Sequence, residues 1–512
     1  MKSPRRCVAA LLGTLLCAGC LNVTTDITTY DEFLRYRVDA PNTLRVMATD
    51  NSLYELEFYS LHDSTLAGSG THITKSGRSA FSGQLPLSSI VYVQGRESSV
   101  GRTLLALGFA AFIGACAGNA GEHHGLSVYR PSTGSCPYVY AWNGEKYVLQ
   151  GEVFGTAFGR ALESSTACML PAASVRSPGV MVRVTNERPE THYIDAIRVM
   201  AFEAPEGAEV LLDNAQRAWP VLHPQLPLQS PPHLLTQDGI YWTSDLASTG
   251  ITGDCRDVVE LTFPCPGDKH TGSLIIRGIN TQLGNAVYDM VFGYLGDDFL
   301  PFLYRVEHDA ECIRTLRQWI DEASLTIEVW RGGRWACEGR IAPEAVATDI
   351  ARIVRVSSEG VTGDSIRMRL SSLADLWKLD AVAVDWTPAE PLTPHVLGMR
   401  SVKQTGVSSV SRRLLARDAN YTVLLPGEEL QIEFDKRCPT RGYTVAYALE
   451  ATGYLYEWPV DSTPPGQSLF QTVAFKSDWP DRIGVVNFLI QHRDVLLPLV
   501  YERWKTVRST VP

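Results

Sequence analysis

Leu325-Thr-Ile-Glu-Val-Trp330, Arg331-Gly-Gly-Arg334, Gly363-Asp-Ser-Ile-Arg-Met-Arg-Leu370 and Trp377-Lys-Leu-Asp-Ala-Val-Ala-Val-Asp385 decide the fold class of this chain. In the first and third of these stretches apolar side chains fall on every second position, the period of a half-buried strand. The Arg331–Arg334 stretch reads as the turn of a hairpin whose second arm is Trp335–Ile341. A further run at Ile350–Val356 completes an all-β unit, followed by a linker near Thr387–Pro394. The sequence therefore predicts strands throughout 325–386.

The pattern changes upstream. Cys312, Ile313, Leu316, Trp319 and Ile320 recur at helical spacing, with Arg314 and Arg317 on the other faces, which predicts helix over about 284–323. Before that, strands are expected again. Tyr138–Trp142 and Lys146–Gln150 flank Asn143-Gly144, a tight-turn pair. Val180–Thr185, Tyr193–Phe202, Ile240–Thr243, Val258–Phe263 and Ser273–Gly278 follow, and five prolines between Pro220 and Pro232 mark an exposed connector. Downstream of the linker, Leu430–Phe434 and Tyr443–Ala451 read as strands, and Asp481–Trp504 as a helix interrupted by Pro498.

Toward the N-terminus, Thr43–Thr49 and Leu53–Ser60 are β-rich runs joined at Asp50-Asn51, the start of a small β-barrel or sandwich. Between it and the middle region lies Leu104–Ala117, apolar or Gly throughout. Ala106, Ala110, Gly114 and Gly118 fall four apart and form one small-residue stripe on a helix, suited to close packing against another helix. The strongly apolar part is short for a bilayer span, which favours a buried or interfacial helix.

The first twenty residues set an address. Lys2, Arg5 and Arg6 precede the apolar run Val8–Leu16 and then Cys17-Ala18-Gly19-Cys20. This resembles the bacterial lipobox at Ala18, Gly19 and Cys20, and departs from it at Cys17, where that motif usually has Leu. The resemblance implies cleavage before Cys20, acylation of its thiol, and a membrane-anchored lipoprotein of the cell envelope, on the outer membrane or periplasmic face.

Bulk composition narrows the function classes. At 512 residues the chain calls for roughly three or four domains. Loss of Lys2, Arg5 and Arg6 with the leader leaves 43 basic against 56 acidic residues, a net charge of −13. Without a basic tract, binding nucleic acid through charge is not expected. Of 11 cysteines, Cys7 and Cys17 leave with the leader and Cys20 carries the lipid, so eight remain. Disulfides between Cys255 and Cys265 or between Cys136 and Cys168 are open, as is a role as small buried hydrophobes.

Two further resemblances concern fold. The residues quoted at the outset, ending in a tryptophan followed by alternating apolar residues and an aspartate, resemble part of a galactose-binding-like jelly roll over 325–386. That implies a ligand-binding or packing module and no reaction. Ser135-Cys-Pro-Tyr-Val-Tyr-Ala-Trp-Asn-Gly-Glu-Lys-Tyr147, with Gly151-Glu152 and Arg183-Val-Thr-Asn-Glu187, resembles an uncharacterised group of bacterial envelope proteins over 135–203, which implies fold alone.

Candidate chemistry is sparse. Gly363-Asp-Ser-Ile366 copies the nucleophile block of the GDSL-type esterases, but its serine opens a strand where those enzymes open a helix, so a Gly-Asp turn is expected. Glu122-His123-His124 between glycines reads as a polar loop, not a metal site. Glu145 with Glu152, or Asp380 with Asp385, are pairs to consider for glycoside hydrolysis, but at seven and five residues apart the members of each pair fall on opposite faces of a regular strand. Trp330, Trp335, Trp377 and Trp386 offer a sugar-stacking platform or, more simply, a core. No catalytic residue, metal ligand or cofactor is assigned.

The expectation is a mainly β, multi-domain chain: leader 1–20, small β domain 21–100, Gly/Ala-rich helical segment 101–125, β-rich domain 126–280, helical interlude 281–324, jelly-roll-like module 325–388, and a mixed β region with a C-terminal helix at 389–512. Its expected role is binding or scaffolding at the envelope, with a membrane as partner through the lipid and an envelope protein as a further partner. The alternatives are an envelope hydrolase acting on glycans, or a membrane-complex subunit docking through the 104–118 helix.

Overall fold

Residues 23–27, 43–97, 137–243 and 255–457 are described by a computed structural model, apart from 51, 63, 75–76, 173–177, 189, 268–269, 296–297, 345–347, 405–413 and 426, together with separate positions between 486 and 504. The chain is mainly β, with five sheets among the described residues, and it divides into two compact units.

The smaller unit holds strands β1 (Val23–Ile27), β2 (Thr43–Ala48), β3 (Leu53–His62), β4 (Thr65–Thr74), β5 (Gly77–Pro86) and β6 (Ile90–Glu97). They form one antiparallel sheet in the order β1-β6-β2-β3-β4-β5. Leu44, Val46, Leu56, Leu66, Leu85 and Val93 cluster as its core. The β2–β3 turn is tied by Asp50, whose carboxylate accepts from the Ser52 backbone N–H at 3.0 Å.

The larger unit begins with β7 (Tyr138–Trp142), β8 (Tyr147–Glu152), β9 (Ser164–Leu170), β10 (Val180–Thr185) and β11 (Glu190–Pro205). The β7–β8 turn follows its sequence. Asn143 Oδ1 accepts from the N–H groups of Glu145 and Lys146, and Gly144 takes φ +108°, which suits a residue without Cβ. Strands β12 (Glu209–Asp213), β13 (Ala218–Val221), β14 (Arg256–Pro264) and β15 (Thr271–Asn280) lead to helices α1 (Leu283–Leu295), α2 (Phe299–His308) and α3 (Ala310–Ala323), of which residues 289–304 of α1 and α2 count with the smaller unit. Asp309 caps α3 by accepting from Glu311 and Cys312 N–H. Then come β16 (Leu325–Arg331), β17 (Arg334–Ile341), β18 (Ile350–Ser357), β19 (Ser365–Leu373) and β20 (Trp377–Asp385), and finally β21 (His395–Val396), β22 (Met399–Gln404), β23 (Thr422–Leu424), β24 (Glu429–Phe434) and β25 (Tyr443–Glu457).

Four sheets result. One runs β13-β12-β18-β15-β20 and another β14-β19-β16-β17, together giving β-sandwich character. Alternation decides which side is buried. On β19, Ile366, Met368 and Leu370 are buried while Arg367 is exposed and Arg369 half-buried. The sheets approach closely at Gly339, where a Cβ would sit 2.8 Å from Val354 Cγ1. The strands of 325–385 thus pair with β12, β14 and β15 from before the helices, so this sandwich draws on both sides of the helical interlude.

The other two sheets, β22-β24-β10-β7-β8 and β21-β11-β25-β9 with β23 on β11, likewise combine strands from 138–205 with strands from 395–457. Near the C-terminus, Val486, Leu489, Gln491, Val495–Pro498, Val500, Tyr501 and Trp504 are helical and His492 is not. Pro498 itself is helical, with a φ that a helix shares, and among the described positions His492 is the one that is not helical.

Candidate functional site

A cavity of about 70 Å³ lies in the larger unit, room for about two waters. One wall is helical: Leu283, Val287 and Tyr288 from α1, Trp319, Ile320 and Ala323 from α3, and Leu497, Val500 and Tyr501 from the C-terminal helical positions. The facing wall is made of strand ends, with Glu152 closing β8, Asn280 closing β15, Glu344 following β17, and Leu373 and Leu376 bracketing the β19–β20 turn. The helical spacing of Trp319 and Ile320 was legible in sequence as an apolar face; here that face remains half-buried because it borders the cavity.

The polar groups around it are mostly committed. Thr281 Oγ1 donates to the Asp375 carbonyl at 2.6 Å and accepts from Leu283 N–H at 3.2 Å, which starts α1. Tyr501 OH donates to the Ala374 carbonyl at 2.6 Å, and Trp504 Nε1 donates to the Asp375 carboxylate. Arg352 Nε donates to Glu344 Oε1 at 3.1 Å, and its Nη2 reaches both Glu344 Oε2 and the Ala167 carbonyl. Asn280 Oδ1 accepts from Glu344 N–H at 2.8 Å, while its Nδ2 has no hydrogen-bond partner among the described residues.

The residues singled out in sequence fall in separate places. Glu145 is an exposed turn residue and Glu152 a buried one at the cavity. Asp380 and Asp385 are both buried; Asp385 clamps the proline-rich connector and Asp380 the chain just after it. Asp380 Oδ1 accepts from Asp238 and Gly239 N–H, and Asp385 Oδ2 accepts from Leu222 and His223 N–H. Asp380 can do this because the β15–β20 register slips beside it: Arg277 faces Ala381 and Gly278 faces Leu379, which leaves Asp380 as the bulged residue. Neither pair forms an acid–base site.

Burial opposes ionisation of Asp385, but hydrogen bonds from Thr387, Leu222 and His223 outweigh it and hold its pKa below the ordinary aspartate value. A depressed folded-state pKa stabilises the fold fully above the unfolded value of about 3.9, and this contribution is lost as pH falls through the folded value. Acid titration of unfolding stability is therefore expected to show a loss below about pH 4 that is smaller in Asp385→Asn; equal acid sensitivity of the two proteins would refute the clamp's electrostatic role.

The four tryptophans divide. Trp377 and Trp386 are 2% and 8% exposed and belong to the core. Trp330 and Trp335 meet edge-on at 5.2 Å on the half-buried face of their sheet. Arg367 lies 5.3 Å and 5.5 Å from their ring centroids and Arg369 lies 4.7 Å from that of Trp335. The guanidinium groups, neutralised by Glu260 and Glu328, occupy ring faces on which a sugar would stack. Gly363 takes φ +100° in the turn before β19, and Asp364 O accepts from Cys265 N–H, so the esterase-like block is a turn.

Cys255 and Cys265 are both free and buried, which corrects the disulfide considered between them. They flank β14, and ten residues of extended chain span roughly 33 Å, far beyond disulfide reach. Burial pushes the Cys168 thiol up to about 12 and that of Cys312 to about 11, so neither is a thiolate at neutral pH. Among the described residues no cluster of three or more His, Cys, Asp or Glu is placed to hold a metal, and no helix is long and apolar enough to cross a membrane. Cys20, the Ala106–Gly118 stripe, Glu122-His123-His124 and Cys136 lie outside the described residues.

Fold and cavity together define a class: a multi-domain, mainly β protein with a small, largely apolar cavity beside a sandwich. No protein family matches the chain, and no curated protein does. Among solved structures, it is similar to a chain of the Sulfolobus turreted icosahedral virus at 7% identity and a TM-score of 0.14, over 64% of this chain and 91% of that one. It is similar to a chain of infectious bursal disease virus, Gx strain, at 8% identity and a TM-score of 0.12, over 91% and 92%. Likenesses this slight carry no argument.

Proposed function

We propose that this chain is a lipid-anchored bacterial envelope protein, acylated at Cys20, that binds a small ligand in the cavity between β15, α1 and α3. The observation that carries the binding role is the cavity itself, walled by six separate stretches of chain around a largely apolar interior. The lipobox-like leader carries the anchor, and the Ala106, Ala110, Gly114 and Gly118 stripe is the natural place for an envelope protein partner to dock.

A glycan hydrolase has one point in its favour, since Glu152 and Glu344 line the same cavity. Both Glu344 oxygens, however, are taken by Arg352, which leaves that carboxylate no part as acid or base. Binding is the better reading.

Fractionation with mass spectrometry of the N-terminal peptide tests the anchor. Acylated Cys20 in the membrane fraction, and release of Cys20→Ala from it, are expected. Full-length chain in the cytosol with its leader intact would overturn the anchor.

A further inference from the structure

Strand β5 is an edge left open. It runs ten residues, Gly77–Pro86, at one end of the smaller unit's sheet, and among the described residues no strand pairs with its far side. Most of it is exposed: Gly77–Ala80, Ser82–Gln84 and Pro86. A bare row of N–H and C=O groups is a template for another strand, and proteins usually blunt it with lysine, an interior proline, a bulge or a covering loop. Among the described residues β5 has none of these. All ten of its positions pair with β4 without a register shift, its one charge is Arg78, and its proline is the last residue. The larger unit treats long edges otherwise, since Gln225, Leu235 and Trp242 bridge to β20 and Gln229 bridges to β14.

The sequence of the edge says what fits it. In an antiparallel pair, directly opposed residues share a face of the sheet. A two-fold axis perpendicular to the sheet at Phe81 sets Phe81 opposite Phe81 of a second copy. The same axis sets Ala80 opposite Ser82, Ser79 opposite Gly83, Arg78 opposite Gln84 and Gly77 opposite Leu85. Pro86, which has no N–H to donate, falls outside the overlap. An aromatic residue meets its like, small residues meet small ones, and no like charges oppose. Phe81 already packs on the core cluster, edge-on to Tyr54 at 4.8 Å, so this pairing extends that cluster across the junction. Over 43–97 four basic and five acidic residues leave a net charge of −1, against −10 for the chain. Charge therefore does little to hold two copies apart here.

We propose that β5 pairs antiparallel with β5 of a second copy about a two-fold axis at Phe81, joining two six-stranded sheets into one. This goes beyond the binding role and is independent of what the cavity holds.

Sedimentation equilibrium of the full chain in density-matched detergent, over a dilution series, tests it. A reversible monomer–dimer equilibrium is expected. Ala80→Lys with Ser82→Lys sets like charges opposite each other twice across the axis and is expected to weaken the dimer roughly tenfold or more. Ala80→Glu with Ser82→Lys sets opposite charges there and is expected to restore it. Both positions are exposed, so the circular dichroism of each variant is expected to match the parent. Gln84→Arg, which opposes Arg78, is the substitute should the lysine variant not fold.

A monomer at every concentration overturns the proposal. So does a dimer that the lysine substitutions leave equally tight, since the contact then lies elsewhere on the chain. A dimer weakened by them and not restored by the Glu and Lys combination overturns the register at Phe81.

Discussion

Glu344→Ala is expected to destabilise the larger unit by about 3–5 kcal/mol. Arg352 is 5% exposed on β18, and Glu344 receives its Nε and one Nη. With the carboxylate gone, a guanidinium that stays protonated at any ordinary pH is left desolvated, with only the Ala167 and Ala351 carbonyls for company. The cost comes from the orphaned charge and not from the worth of the pair. Arg352→Met combined with Glu344→Leu is therefore expected to recover most of the loss. Urea unfolding of the two proteins checks this, and a double variant no more stable than Glu344→Ala would show that the pair matters for another reason.

Asp375→Ala is expected to cost about 2–4 kcal/mol, adding the penalty of an orphaned donor to that of a left-handed alanine. Asp375 is 2% exposed, takes φ +59°, and accepts from Trp504 Nε1, while the preceding carbonyl accepts from Tyr501 OH. These bonds tie the C-terminal helical positions to the β19–β20 turn and so form one wall of the cavity. Hydrogen exchange is expected to rise first around 496–504, before global unfolding. Uniform exchange across the larger unit would mean that the turn has no such local role.

The individual strands and helices were legible because their periodicities are local. Ser365–Leu370 alternates and is β19; Asn143-Gly144 announces the turn between β7 and β8; Cys312–Ile320 recurs at helical spacing and is α3. Pairing was not legible. Nothing in Val258–Phe263 says that it lies against β19, because register depends on side chains about a hundred positions away. The stretch Ile240–Thr243 reads as a strand by composition but contributes only an isolated bridge from Trp242 to Leu379.

The cavity escaped for the same reason: Asn280, Glu344 and Leu376 converge only once the long stretches of chain between them have folded. Asp380 and Asp385 did stand out, but as candidate chemistry. The proline-rich connector whose N–H groups Asp385 accepts was visible as a connector, and its need for a buried acceptor was the missed signal.

The interleaved pairing also sets a clock on biogenesis. Val182 faces Ile432, and Cys168 faces Leu449. At ribosomal speeds of about 5–20 residues per second, the early strands wait on the order of ten to fifty seconds for their mates. Throughout that interval β9, β10 and β11 carry bare edges ready to zip onto a neighbouring nascent chain. The longer those edges wait, the greater the exposure of the nascent chain to mispairing.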